Sequence, residues 1–309
     1  MALKHLLPPN IYEVIDRAGI STSRQIIILS VWDIKKFTNL CIDDILLLKN
    51  IVTDHVSPFS ATANDLKKDN ANELGITTGC IGIDNLLNGG LRRGTTTEVF
   101  GESGSGKTQL ALQTTLKNWA DGCVFICTED LFPTKRFEEI KINLPKFDPK
   151  IDYGKNVFVE HITESKDLLS CIRVRLPKLL AQKNLSLMII DSVAAPFRCE
   201  TTNYVKRAEE LREMAILLTR VAQQYNLAIL CINQVTASFA ESDNVLPSLG
   251  LAWSNMVTTR LMIKKTLKIQ NFCKHDTYIR ELHVVFAPDL PNTMIEFFIT
   301  SNGIQSIPD

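Results

Sequence analysis

The stretch GESGSGKT at residues 101–108 has the residue types and spacing that bind a nucleotide triphosphate. It matches G-x-x-x-x-G-K-[ST] at every fixed position, follows a predicted strand and opens a predicted helix, as a phosphate-binding loop does. Glycines let backbone N–H groups converge on phosphates, and the helix N-terminus adds a positive dipole end. We expect Lys107 to reach the β- and γ-phosphates of ATP and the Thr108 hydroxyl to ligate Mg²⁺. The predicted nucleotide contacts are Gly101, Glu102, Ser103, Gly104, Ser105, Gly106, Lys107, Thr108 and Gln109.

Polar side chains at the ends of three other apolar runs would complete this site, because the carboxyl ends of neighbouring strands gather ligand groups. Asp191 ends LSLMIID and would hold Mg²⁺ through water. Glu129 follows CVFICT and is the candidate base that polarises the attacking water. Gln234 follows LAILCIN, where its amide would sense the γ-phosphate. Structural alternatives remain open: acids after a strand also cap helices, and Gln234 can simply satisfy a loop.

The elements that must carry these side chains predict an α/β fold with a mainly parallel sheet. LSLMII and LAILCI are apolar throughout, which is typical of central strands covered on both faces, and TTTEVF, CVFICT and NVFVEHI are further strands. Residues 205–225 carry apolar positions at three- and four-residue steps and predict one helix between the two central strands. After about Thr258, VTTRLMIKK, YIRELHVVFA and MIEFFIT predict consecutive strands that extend the sheet antiparallel.

The N-terminal part has a different pattern. Residues 10–56 carry apolar positions at helical spacing in short blocks, which predicts a small all-helical domain or, alternatively, a helical extension packed on the main domain. NLCID lacks the glycine expected in the turn of a DNA-binding helix-hairpin-helix. The polar stretch SPFSATANDLKKDNANELG is typical of a linker. We therefore expect a helical domain at 1–57, a linker at 58–75 and the α/β core at 76–309.

Composition limits the partners and the compartment. The 309 residues contain 34 Lys plus Arg and 34 Asp plus Glu, so no global field attracts nucleic acid or an anionic membrane, and any polyanion site must be local. Eight cysteines without a CxxC pair favour a reducing compartment. No apolar run is long enough to span a bilayer, and Pro8 and Pro9 interrupt any signal-type segment. We expect a protein of the nucleus or cytoplasm that does not enter a membrane.

Five stretches of the chain resemble the ATPase core of RecA-type strand-exchange recombinases in their eukaryotic form. In order they are TTGCIGIDNLLNGGLRRGTTTEVFGESGSGKTQLALQ, ICTEDLFP, IIDSVAAPFR, CINQVT and LGLAWSNMVTTRL. The resemblance covers roughly residues 76–309 and, more faintly, the N-terminal helices. Within the family, ICTEDLFPTKR and IDSVAAPFRCE are similar to the sequence of one recombinase paralogue. It implies a RecA-like core that binds ATP and Mg²⁺ and hydrolyses ATP weakly. It also implies repair of double-strand breaks by homologous recombination, processing of Holliday junctions, and a heterodimer with another paralogue, the C-type. By position it assigns Lys107, Glu129 and Gln234 to catalysis.

The same resemblance implies two surface loops that face DNA, single-stranded or as a four-way junction. They correspond to residues 198–210, with Arg198, Lys206 and Arg207 as candidate contacts, and to residues 236–250. The second loop contains no Lys or Arg and cannot neutralise phosphates, so strand exchange by this chain alone is not expected. Lys264 and Lys265 in RLMIKKTLKIQNFCKH add a basic patch if that segment forms a hairpin, or a charged edge that discourages strand pairing.

Recombinases of this type polymerise by inserting a Phe-x-x-Ala tetrapeptide from the linker into a neighbour. Here Phe59 is present but the fourth position is Thr62. Phe59 is still a candidate partner contact, because aromatic side chains often anchor interfaces. A long filament of this chain is not expected, although contact with a filament of the main recombinase is.

Two other functions remain open. A non-catalytic assembly factor for a recombinase filament would use the nucleotide only as a clamp at an interface. A small-molecule kinase would need a lid and an acceptor site, and the sequence offers no residues for either.

Overall fold

The computed structural model describes residues 3–57, 62–64, 75–198, 204–236, 246–247, 249–272 and 275–307. The chain divides into two compact units, residues 1–70 and 71–309. The domain boundaries predicted at residues 57 and 75 stay predictions, because most of the intervening stretch lies outside the described residues. Within the described part, no helix has the length and apolar character needed to cross a bilayer.

The N-terminal unit consists of short helices, as its spacing predicts. After a 3₁₀ turn at Leu3–His5 come α1 (Pro9–Arg17), α2 (Ser23–Ile28), α3 (Val31–Thr38) and α4 (Ile42–Val56). Capping boxes start α2 and α3, where Thr22 pairs with Gln25 and Ser30 with Asp33. The unit has a hydrophobic core of its own, made of Leu3, Leu7, Ile11, Ile15, Ile20, Ile26, Ile34, Ile45, Leu48 and Val52.

The second unit is built on a nine-stranded sheet. Its strands are β1 (Thr96–Gly101), β2 (Cys123–Cys127), β3 (Val157–His161), β4 (Leu187–Asp191), β5 (Ala228–Asn233), β8 (Thr259–Phe272), β9 (His275–Phe286), β10 (Met294–Thr300) and β11 (Gly303–Ser306). They lie in the order β11-β10-β9-β8-β1-β5-β4-β2-β3. Two short strands, β6 (Val235–Thr236) and β7 (Leu246–Pro247), pair separately. The predicted α/β class with a mainly parallel sheet is confirmed.

The prediction that all three C-terminal strand segments extend the sheet antiparallel is wrong for the first. β8 pairs with β1 in parallel, with Gly101 opposite Ile263. The chain leaves the carboxyl end of β5, crosses to the other side of β1 and re-enters at the amino end of the parallel strands, so β8 and β1 share a direction. β9 and β10 are antiparallel to their neighbours, as predicted.

Helices cover both faces of the sheet. They are α5 (Ile81–Leu86), α6 (Lys107–Lys117), α7 (Thr134–Ile142), α8 (Ser165–Ser170), α9 (Leu176–Gln182), α10 (Tyr204–Tyr225) and α11 (Gly250–Ser254). In β2, Phe125 faces a core shared with α6 and α7, while Val124 and Ile126 face a second core shared with α8, α9 and α10. This alternation explains why the central strands are apolar at every position.

One charged side chain is buried in the middle of the sheet. Glu98 on β1 has no exposed surface, and its Oε1 accepts hydrogen bonds from Asn233 Nδ2 at 2.7 Å and Trp253 Nε1 at 2.9 Å. Its Oε2 accepts from Arg260 Nε at 2.7 Å. These contacts join β1, β5, α11 and β8 directly beneath the edge of the sheet that carries the candidate site.

Candidate nucleotide site

The predicted site residues meet at one edge of the sheet. β1, β5, β4 and β2 are adjacent and parallel, so their carboxyl ends lie side by side. Gly101 ends β1 and Asp191 ends β4, while Glu129 and Gln234 follow β2 and β5 closely. A cavity of about 310 Å³ lies among these strand ends, and its lining includes Lys107, Thr108, Glu129, Asp191 and Gln234.

The predicted phosphate-binding loop at residues 101–108, here called the phosphate loop, is packed too tightly for a side chain at two of its glycines. A Cβ on Gly101 would lie 2.2 Å from the carbonyl oxygen of Ile263 on β8. Gly106, the residue before α6, has a φ of 115°, and a Cβ there would lie 2.5 Å from Ile299 Cδ1. The glycines therefore allow the loop to pass close to the neighbouring strands with its backbone turned toward the cavity.

Two side chains of the loop make defined contacts. Lys107 is buried, and its Nζ donates to the carbonyl oxygens of Gly101 at 2.8 Å and Glu102 at 2.7 Å. Thr108 Oγ1 donates to Asp191 Oδ2 at 2.7 Å. The hydroxyl and the carboxylate predicted as magnesium ligands are thus within hydrogen-bonding distance of each other.

Burial changes the acid–base properties of the site. It raises the pKa of the Asp191 carboxyl, while the Thr108 hydrogen bond and the Lys107 charge act in the opposite direction. Burial also lowers the pKa of Lys107, an effect that the charge of Asp191 opposes and that of Lys265 reinforces. Burial raises the pKa of Cys127 to about 12, so this thiol in the cavity wall stays protonated at neutral pH and is not a nucleophile.

The residues present suit a magnesium-bound triphosphate. Ser105 Oγ, within the loop, is buried and has no hydrogen-bond partner among the described residues. Thr108 offers one oxygen ligand and Asp191 offers a carboxylate that can hold the ion through water. Mg²⁺ typically takes few protein ligands and keeps the rest as water and phosphate oxygens. Lys107 supplies a cation beside the loop. The glycine-rich loop, the oxygen atoms of Thr108 and Asp191 and the charge of Lys107 therefore fit the predicted ligand.

Glu129 and Gln234 contact each other and a third residue. Gln234 Nε2 donates to Glu129 Oε2 at 2.6 Å. Arg198 Nη2 lies 3.2 Å from both carboxylate oxygens of Glu129, and Arg198 Nη1 donates to Gln234 Oε1 at 2.6 Å. We call Glu129, Arg198 and Gln234 the strand-end network.

A second cavity, of about 390 Å³, shares Gly104, Lys107 and Thr108 with the first. Arg136 on α7 and Arg280 on β9 line it, together with Gln109. Arg136 Nε donates to Gln109 Oε1 at 2.6 Å. Sequence reasoning selected Gln109 but missed both arginines. Arg136 lies in the ICTEDLFPTKR stretch and could have been found there, whereas Arg280 has no local signal because only the fold of β9 brings it to the loop.

The candidate DNA contacts fall in different places. Arg198 lies in the strand-end network, and Lys265 lies beside the phosphate loop, with its Nζ 3.4 Å from the position of a Cβ on Gly104. Lys206 Nζ lies 3.8 Å from Glu210 Oε1 on α10. The next residue in the chain, Arg207, is half-buried. Lys264 is exposed on β8. Residues 260–272 of the predicted hairpin segment form this single strand, which pairs with β9. The roles of these residues toward DNA stay predictions.

Several predictions concern residues that the structure does not describe. Phe59, the candidate partner contact, lies outside the described residues, as does most of the predicted linker. The same holds for residues 199–203 of the first predicted loop and residues 237–245 and 248 of the second.

Comparison with known proteins gives consistent matches over the α/β unit and beyond. The family model named Rad51 matches residues 70–307. The DNA repair protein XRCC3 of Bos taurus is 32% identical over 331 residues, covering 98% of this chain and 96% of that protein. The DNA repair protein rhp57 of Schizosaccharomyces pombe is 30% identical, covering 75% of this chain and 79% of that protein. The DNA repair protein XRCC3 homolog of Arabidopsis thaliana is 31% identical, with coverage of 75% and 93%.

Proposed function

Because this chain belongs to the Rad51 family of RecA-type recombinases, we propose that it is an ATP-binding DNA repair protein that acts in homologous recombination. It works in the nucleus as one half of a heterodimer with another recombinase paralogue, the C-type, on single-stranded DNA or four-way junctions. The names of the relatives support the repair role. The observation that carries the nucleotide role is the hydrogen bond between Thr108 and Asp191 at the mouth of the phosphate loop.

In this proposal the loop holds the triphosphate and its metal. Backbone N–H groups of residues 101–108 and the N-terminus of α6 bind the phosphates, and Lys107 turns from the carbonyl oxygens of Gly101 and Glu102 toward them. Thr108 would ligate Mg²⁺ and Asp191 would hold it through water, and the bound ion would neutralise charge on the phosphates. Because phosphate oxygens would replace the loop carbonyls as acceptors, the Lys107 ammonium group would keep its hydrogen bonds when the nucleotide binds.

Hydrolysis would use the side chains opposite the loop. Glu129 would accept the proton of the attacking water, and Gln234 would orient toward the γ-phosphate. Both side chains form hydrogen bonds with Arg198, which is consistent with weak turnover. A nucleotide that binds the heterodimer would stabilise it by mass action. We propose that this stabilisation is the main role of the nucleotide and that its hydrolysis is secondary.

A break-repair assay tests the proposal. In cells whose own copy is deleted, the wild-type chain should restore recombination at an induced double-strand break, and Lys107→Ala should not. The Lys178→Ala variant, which changes an exposed lysine of α9 remote from the loop in sequence, should restore repair fully. Full repair by Lys107→Ala would show that the nucleotide site is dispensable.

The second candidate function is that of an assembly factor that never turns over ATP. It is favoured by the engagement of Glu129 with Arg198 and Gln234 and by the lack of Lys and Arg in residues 236–250. The Glu129→Gln variant separates the two functions. Loss of repair supports a requirement for turnover, whereas full repair together with loss of ATP hydrolysis supports the clamp alone.

A further inference from the structure

The strand-end network ties three parts of the chain that are distant in sequence. Glu129 follows β2, Arg198 follows the 3₁₀ turn Ala195–Phe197 beyond β4, and Gln234 follows β5. The Arg198 guanidinium contacts the Glu129 carboxylate and the amide oxygen of Gln234. The amide nitrogen of Gln234 donates to the Glu129 carboxylate. The three side chains therefore form a closed ring of hydrogen bonds.

This ring occupies the groups that the proposed reaction needs. Both oxygens of Glu129 lie 3.2 Å from Arg198 Nη2, and Oε2 also accepts from Gln234. These contacts fix the direction of the Glu129 carboxylate, whereas a general base must be oriented toward the proton that it removes. Gln234 uses its oxygen for Arg198 and its nitrogen for Glu129, so its amide is committed at both ends as well. A single side chain, Arg198, thus engages both the base and the γ-phosphate sensor.

We propose that Arg198 is a positioning residue that holds Glu129 and Gln234 in a non-reactive arrangement until a nucleic-acid phosphate draws its guanidinium away. This inference rests on the proposed function, because it assumes that Glu129 is the base for ATP hydrolysis. It assigns Arg198 a role toward the base in addition to the DNA contact predicted from the sequence.

Position and chemistry both favour a phosphate as the releasing group. Arg198 is 36% exposed and Glu129 45% exposed, so the pair is accessible from solvent and not locked in the core. Lys206 and Arg207 follow at the start of α10, which places three cationic side chains within ten residues of chain. Guanidinium binds phosphate oxygens in a bidentate, charge-assisted geometry, so a polyanion that brings several phosphates competes well with one carboxylate.

Single-turnover hydrolysis of ATP with Mg²⁺ tests the proposal, using the full-length chain with and without single-stranded DNA. Without DNA, Arg198→Ala should hydrolyse ATP about tenfold faster than wild type, with an unchanged affinity for ATP, because it frees a general base. The double variant Arg198→Ala with Glu129→Gln should lose this gain. Arg92→Ala is the matched control, since Arg92 makes an exposed 3.1 Å pair with Asp289 and should leave the rate unchanged.

The measurements with DNA test whether DNA accelerates hydrolysis by drawing Arg198 away from Glu129 and Gln234. Single-stranded DNA should accelerate the wild type and leave Arg198→Ala at its already raised rate. If Arg198→Ala folds poorly, Arg198→Lys, which keeps the charge but not the fork geometry, should show a smaller increase. An Arg198→Ala rate at or below wild type would overturn the proposal, as would equal acceleration of both proteins by DNA.

The result also separates this inference from the proposed function. If the wild type binds ATP and Arg198→Ala binds it equally but hydrolyses none, the restraint by Arg198 is wrong while the nucleotide clamp survives. If neither protein binds ATP, both ideas are wrong.

Discussion

The packing of Gly101 against Ile263 shows how a neighbouring strand limits which residue the phosphate loop can carry. We expect Gly101→Ala to lower the free energy of unfolding by about 2 kcal/mol, because the new Cβ would meet the backbone oxygen of Ile263 at 2.2 Å and overpacking against backbone cannot relax easily. Chemical denaturation measures the change. Gly154→Ala, whose Cβ would have its nearest contact at 3.5 Å, should be nearly neutral, and equal stability of both variants would refute this steric explanation.

Several site residues could be predicted from sequence because each ends an apolar run. Asp191, Glu129 and Gln234 follow parallel strands, and the carboxyl ends of such strands meet at one edge. The contact of Arg198 with Glu129 could not be predicted, because 69 residues separate the two and only the strand order brings them together. The same is true of Lys265, which was selected for DNA and lies beside the loop.

At the scale of elements, the buried Glu98 joins β1, β5, α11 and β8 beneath the site. We expect Glu98→Ala to destabilise the α/β unit by about 3–5 kcal/mol, because it leaves the guanidinium of Arg260, which is 13% exposed, without its carboxylate. Thermal or denaturant unfolding of the full chain measures this decrease. Asp121→Ala removes the partner of Arg93 in an exposed pair and should change stability by less than about 0.5 kcal/mol. Similar values for the two variants would contradict this role of Glu98.

Element types were easier to predict than their pairing. Apolar periodicity indicates α10 and the central strands directly, since both depend on local patterns. The parallel pairing of β8 with β1 depends on where the chain crosses the sheet, and no local pattern records that. Glu98 was missed for a similar reason, because a single acid in TTTEVF carries no sign that Asn233, Trp253 and Arg260 will surround it.

At the scale of the whole molecule, zero net charge makes DNA binding depend on a few local cations. We expect the affinity for single-stranded DNA to fall with salt, and the slope of log affinity against log salt to decrease by about 0.7 for each phosphate that the protein no longer neutralises. The double variant Lys206→Ala with Arg207→Ala should therefore have a smaller slope, as measured by fluorescence anisotropy at several salt concentrations. Lys178→Ala and Lys183→Ala together remove the same charge from the region around the end of α9 and should not. An unchanged slope without Lys206 and Arg207 would remove them from the DNA surface.

Every role proposed for this chain depends on nucleotide binding at the edge of the sheet. Calorimetric titration of ATP with Mg²⁺ into the full-length chain, alone and with its paralogue partner, tests this most directly. We expect saturable binding that Lys107→Ala abolishes while the variant unfolds at the same temperature as the wild-type protein without nucleotide. Absence of binding by the wild-type chain in both preparations, or equal binding by Lys107→Ala, would contradict a nucleotide site at this loop.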